Sequence, residues 1–244
     1  MPTMSSASLE KIVTLSPNLV KLNLADSTSL QTISCLSGVR HSLQDLNLSG
    51  CTGLYTFNIR DTLQQLTELR KLDIRNIAWS PVYQTKKFLS RLTALPKLYE
   101  LKIDYYPCSI DYMNFPNLLC LELNIIARFD DELCQQYSEF PSLKKLEILR
   151  MKGTALAIKI LLESRYGFLS LFPALKELDL TRETKNHCLA CESCTHDCES
   201  CIREREIFAH RIELDHLKRL EEIKKQKPHL QITTTLVPAT IFQI

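Results

Sequence analysis

Half of the ten cysteines fall within fourteen residues, Cys188-Leu-Ala-Cys191-Glu-Ser-Cys194-Thr-His196-Asp-Cys198-Glu-Ser-Cys201. Two C-x-x-C pairs, Cys188/Cys191 and Cys198/Cys201, are separated by six residues that include Cys194 and His196. Four thiolates in tetrahedral geometry hold Zn²⁺ well, and C-x-x-C supplies two of them from one turn. The expected ligands are Cys188, Cys191, Cys198 and Cys201, with Cys194 and His196 as alternates. A zinc closed by four thiolates keeps no open position, so its role would be to fold the segment, not to catalyse. The other reading of the same residues is a reduced surface loop without metal. Both stay open on spacing alone.

Cys188-x-x-Cys191-x-x-Cys194-x-x-x-Cys198 also has the spacing of an iron–sulfur ligand run, but Glu199 stands where such runs carry proline, and no second cysteine run exists. Acidic Glu192, Asp197 and Glu199 speak against nucleic-acid contact there. Nothing basic in the segment would lower a thiol pKa. Cys35, Cys51, Cys108 and Cys134 read as packing residues. The sequence lacks G-x-S-x-G, H-E-x-x-H and a phosphate-binding glycine loop, with five glycines in all. His210 and His216 do not share a helix face. The expectation is a protein that is not an enzyme.

Composition narrows the class. The 244 residues are 45% hydrophobic and 24% charged, with a net charge of +2, ordinary for a globular chain and too weak for nucleic acid or an anionic membrane. No apolar run is long enough to span a bilayer. Met1–Ser8 has neither a basic nor an apolar signal region, which predicts a cytoplasmic or nuclear protein with reduced thiols.

The elements that must position any site come from a pattern, L-x-x-L-x-L. It reads Leu19/Leu22/Leu24, Leu43/Leu46/Leu48, Leu69/Leu72/Ile74, Leu98/Leu101/Ile103, Leu118/Leu121/Leu123, Leu143/Leu146/Ile148 and Leu175/Leu178/Leu180. A shorter strand at His229-Leu230-Gln-Ile232 follows. Steps between first leucines are 24, 26, 29, 20, 25 and 32 residues. The last step implies a small insertion. Residues two apart on a strand share a face, so each copy predicts a strand with its leucines inward. Helical spacing at 8–15, 62–69, 81–92, 131–137, 155–163 and 202–227 predicts the connections. Pro17, Pro96, Pro116, Pro141 and Pro173 end them and extend the chain into the strands.

These copies resemble the leucine-rich repeat superfamily, whose period is roughly 20–29 residues. Leu48-Ser-Gly-Cys51-Thr-Gly-Leu54 is similar to the cysteine-containing subtype typical of F-box-type substrate receptors of cullin ubiquitin ligases. The resemblance implies an α/β solenoid of about seven to eight repeats, a curved parallel sheet inside and helices outside. It predicts repeats over 1–182, a cysteine-rich insertion over 183–201, and a capping helix with terminal strand over 202–244. No F-box-like segment precedes the first repeat, so a ligase-docking part would be missing or supplied elsewhere.

In that fold the residues between the leucines face the concave side. The candidate partner-binding residues are Asp45, Asn47, Asp73, Arg75, Lys102, Glu122, Glu147 and Asp179. Glu122, Glu147 and Asp179 form an acidic run at the C-terminal end of the middle column, where ordinary solvated residues are the bland alternative. Seven strands roughly 4.8 Å apart give a stripe roughly 30 Å long, sized for a protein and not for a small molecule. The implied function is substrate recognition or adaptation in a ubiquitin-ligase complex, with cullin-ligase components among its partners. The alternatives are a scaffold with a metal-binding loop and a truncated paralogue.

Overall fold

The computed structural model describes residues 4–78, 95–105, 115–125, 143–153, 172–182 and 217–235, together with Phe88 and Leu92. The chain is α/β. One all-parallel sheet of eight strands runs in chain order: β1 (Lys21–Asn23), β2 (Asp45–Asn47), β3 (Lys71–Ile74), β4 (Glu100–Tyr105), β5 (Cys120–Ile125), β6 (Ile148–Gly153), β7 (Glu177–Arg182) and β8 (Gln231–Thr234). The register puts Leu22, Leu46, Leu72, Leu101, Leu121, Leu149, Leu178 and Ile232 side by side. Most of these are buried in one apolar cluster, and Leu22 and Ile232 on the edge strands are only partly covered. Strand alternation therefore sends one set of residues into the core and leaves the other on a polar face.

Helices α1 (Ser6–Leu15) and α2 (Thr56–Gln65) lie on the core side. The Ser5 hydroxyl accepts the Ser8 N–H and starts α1, while Leu9 and Val13, one turn apart, enter the cluster. Helix α2 buries Ile59 and Leu63 in the same way. It begins six residues before the expected Thr62 and stops at Gln65, because Leu66 and Leu69 belong to the turn into β3. Phe88 and Leu92 are helical and buried. The other expected helices at 81–92, 131–137 and 155–163 lie outside the described residues. Of the expected 202–227 helix, residues 217–226 are described and helical. Leu220 and Ile223 are buried there, and Lys218, Glu221, Glu222 and Lys225 are exposed. Lys227 follows, donating to the Phe172 and Pro173 carbonyls at 3.0 and 2.6 Å.

Strands β2 to β7 are entered through the same turn. The residue before the strand offers its carbonyl to two successive N–H groups of the next copy. Val20 accepts from Gln44 and Asp45, Gln44 from Arg70 and Lys71, Arg70 from Tyr99 and Glu100, and Tyr99 from Leu119 and Cys120. Leu119 accepts from Glu147 and Ile148, and Glu147 from Lys176 and Glu177.

That series fixes the sixth copy, and it corrects the sequence reading. The inward residues are Leu146, Leu149 and Met151, three positions later than Leu143, Leu146 and Ile148. Leu143 instead takes the turn position held by Phe115 and Phe172. The steps into and out of this copy become 28 and 29 residues, so no insertion is needed between the sixth and seventh strands. Cross-strand charge explains the preference. The observed frame places Arg150 between Glu122 and Asp179. The expected frame would have set three carboxylates side by side, and like charges directly opposite destabilise a ladder.

Candidate functional site

The polar face carries three columns. The middle one runs Asn23, Asn47, Asp73, Lys102, Glu122, Arg150, Asp179 and Thr233. Its N-terminal members shape their own turns. The side-chain oxygens of Asn23, Asn47 and Asp73 accept the N–H two residues on, at 3.0, 2.9 and 3.2 Å. One residue further, Asp26, Gly50 and Asn76 all have positive φ, at 59°, 72° and 56°. The Asp26 and Gly50 N–H groups donate to the Ser49 and Arg75 carbonyls of the next copy. At the third copy the Asp104 carboxylate takes over, accepting the Asn76 N–H at 2.6 Å and the Asn124 amide at 2.9 Å. Asp104 is buried by these contacts.

Arg75 organises the centre. It grips Asp73 through two nitrogens, at 3.0 and 2.6 Å, and reaches across β4 to Glu122. The hydrogen bond to Asp73 comes first, with the charges of Glu122 and Asp104 adding, and together they raise the guanidinium pKa. Lys102 adds a 3.4 Å contact to Glu122 and lies 3.9 Å from Glu100. Lys71 pairs with Glu100 at 2.7 Å, its ammonium 5.7 Å from the Tyr99 ring centroid. Arg150 donates to Glu177 at 2.9 Å and lies 3.5 Å from the Cys120 sulfur. Cys120 sits on this face but is 8% exposed, and burial pushes its thiol pKa up. The set is a band of alternating, mutually paired charges. It offers hydrogen bonds and ion pairs.

Seven of the eight candidate residues stand where the sequence placed them: Asp45, Asn47, Asp73, Arg75, Lys102, Glu122 and Asp179. Glu147 does not. It lies one residue before β6, on the rim, where Lys176 binds it at 2.8 Å. The acidic run is therefore interrupted by Arg150, which the sequence reading missed together with Lys152. The signal that could have found them was the charge pattern: only the later frame alternates sign between β5 and β7.

The expected metal ligands Cys188, Cys191, Cys194, His196, Cys198 and Cys201 lie outside the described residues. Among the described residues, no group of three or more His, Cys, Asp or Glu is arranged to hold a metal ion. Nor is any helix among them long and apolar enough to cross a membrane. In the comparisons with known proteins, no family model and no curated protein matches the sequence.

Proposed function

We propose that the chain is a leucine-rich repeat solenoid that works as a non-enzymatic protein-interaction module in the cytoplasm or nucleus, holding a protein partner on its polar face. The observation that carries this reading is the charged centre of the middle column, Asp73, Lys102, Glu122 and Arg150, set in register across successive strands and held by ion pairs before any partner arrives. Fixed rotamers lower the ordering cost of association. Eight strands span roughly 34 Å at the usual spacing, the scale of a protein contact. Cys51 supports the more specific role of substrate receptor or adaptor in a cullin-type ubiquitin ligase. Its buried thiol donates to the Leu24 carbonyl of the preceding copy at 3.0 Å, which gives a physical reason for cysteine in that turn. A second reading, a scaffold whose cysteine segment binds zinc, rests on the two C-x-x-C pairs.

The test is affinity capture of the tagged full chain beside an Asp45→Asn, Asp179→Asn variant, which removes charge from the face without setting like charges on neighbouring strands opposite one another. Wild type should retain cullin-ligase components and a further protein. The variant should lose that protein while melting as wild type does. Equal retention by both would remove the polar face from recognition. Captures free of cullin-ligase components would count against the ligase role and leave the interaction role standing.

A further inference from the structure

We propose that the side-chain amides of Asn23 and Asn47 form a two-donor clamp at the β1–β2 corner of the polar face, and that it takes an Asp or Glu carboxylate of the protein partner. The clamp rests on the interaction role proposed above and names the chemistry this corner would recognise. Asn23 and Asn47 are register partners in the middle column. Asn23 is exposed and Asn47 half-buried. Each is oriented by its own turn. Its Oδ1 accepts the N–H two residues on, from Ala25 at 3.0 Å and from Ser49 at 2.9 Å. A backbone N–H can only donate, so the amide oxygen faces it and the NH₂ group takes the other side. Among the described residues, no hydrogen bond uses either Nδ2.

Because both turns are alike, the two Nδ2 groups are set apart by the strand spacing, roughly 4.8 Å. A carboxylate accepts through two oxygens and can take one hydrogen bond of about 2.9 Å from each amide. The turns have already ordered both donors, which lowers the cost of binding. The clamp is two copies wide, because its pattern stops at β3. Asp73 keeps the turn contact, accepting the Arg75 N–H, but carries no NH₂ group, and the Arg75 guanidinium grips both its oxygens.

Charge selects a carboxylate over a neutral carbonyl. Lys21 stands two residues before Asn23, on the same face of β1, exposed and in no ion pair among the described residues. Asp45 is offset in the first column by Lys21 and Lys71 on either side. A carboxylate would engage both amides and Lys21, whereas a carbonyl would leave the ammonium unused, and charge-assisted hydrogen bonds are about twice as strong as neutral ones.

The test is a nuclear magnetic resonance titration of the isotope-labelled full chain with the peptide acetyl-Ala-Ala-Glu-Ala-Ala-amide, whose blocked ends leave one carboxylate. The glutamine counterpart is the control. The side-chain NH₂ signals of Asn23 and Asn47 should shift together on one saturation curve, and the glutamine peptide should bind at least threefold more weakly. Asn23→Asp keeps an acceptor for the Ala25 N–H, as Asp73 does for Arg75, and exchanges a donor for a carboxylate oxygen. It should weaken binding of the glutamate peptide at least fivefold, while the Leu24 N–H, which donates to the Asn47 carbonyl, keeps its hydrogen-exchange protection. Should that protection be lost, Lys21→Gln decides instead and must weaken binding at least twofold. Unmoved NH₂ signals, equal affinity for the two peptides, or unchanged affinity in the deciding variant overturns the clamp. Unmoved signals in a chain that still captures its partner would strike the clamp and spare the interaction role.

Discussion

Cys51 shows how one residue type answers a local need. The turn after β1 leaves the Leu24 carbonyl facing the next copy, and the Cys51 thiol donates to it inside an apolar environment. Burial raises the Cys51 pKa, as it does for Cys35 and Cys120. The unfolded chain would lose these protons first, near the ordinary thiol value of about 8.5. Stability from the buried neutral thiols is thus intact below that pH and falls as pH rises from there towards the higher folded values. Urea midpoints measured from pH 7.5 to 10 should decline, and Cys51→Ala should flatten the decline while lowering stability at neutral pH. Arg75 makes the second case at this scale. Replacing it by alanine leaves Asp73 with a half-empty carboxylate and Glu122 with Lys102 alone. A loss of about 1–3 kcal/mol is expected from removal of charged hydrogen bonds, measured by denaturant unfolding. Arg75→Lys should recover only part of it, since one ammonium cannot grip Asp73 through two nitrogens and still reach across β4.

At the scale of the element, the turns after the first three strands separate conformational need from crowding. Asp26 and Asn76 adopt positive φ without being glycine, so the turn alone does not demand glycine at Gly50. A Cβ on Gly50 would lie 2.1 Å from Asp26 Oδ1 and 3.3 Å from the Asp26 Cα. Gly50→Asn should therefore destabilise the wild type and be partly rescued by Asp26→Gly, which removes the clashing carboxylate and tolerates the positive φ, a coupling that a double-mutant cycle reads directly. Gly53 has no such remedy. Its Cβ would meet the Thr28 and Leu30 carbonyl oxygens at 2.6 and 2.7 Å, both backbone. Gly53→Ala should cost more than Gly50→Ala in thermal melting, in either background.

At the scale of the whole molecule, the eight strands pair in chain order, and the longest step between neighbours is the one from β7 to β8. From Leu175 to the buried Leu230 is 55 residues, about twice the other steps, and the cysteine pairs fall inside that span. Protein purified without added metal should carry about one Zn²⁺ per chain if Cys188, Cys191, Cys198 and Cys201 act together. Elemental analysis finding none, with all ten thiols titratable after mild unfolding, removes the zinc reading. Chelation should leave the β3–β5 melting transition in place, because each strand pairs only with its immediate neighbours in the sheet and β3–β5 lie at least two strands from the cysteine segment.

Much of this architecture was legible because its cause is local. Leucines two apart on a strand share a face, and their recurrence every 20–29 residues requires copies that stack. Most strand positions and the outward placing of seven of the eight candidate face residues follow from that spacing, and the parallel sheet was what the resemblance to leucine-rich repeats implied. Helix α2 was misplaced because leucine spacing continues past its end into the turn, where Leu66 and Leu69 are buried for a different reason. The cysteine spacing speaks for metal chemistry without showing where its ligands meet. What only the tertiary structure decided was the frame of the sixth copy, and with it whether Glu147 or Arg150 faces outward. Leucines spaced by three satisfy two frames equally within one strand. The charges of Glu122 and Asp179, on the strands to either side, break the tie, and they become its neighbours only after the sheet has formed.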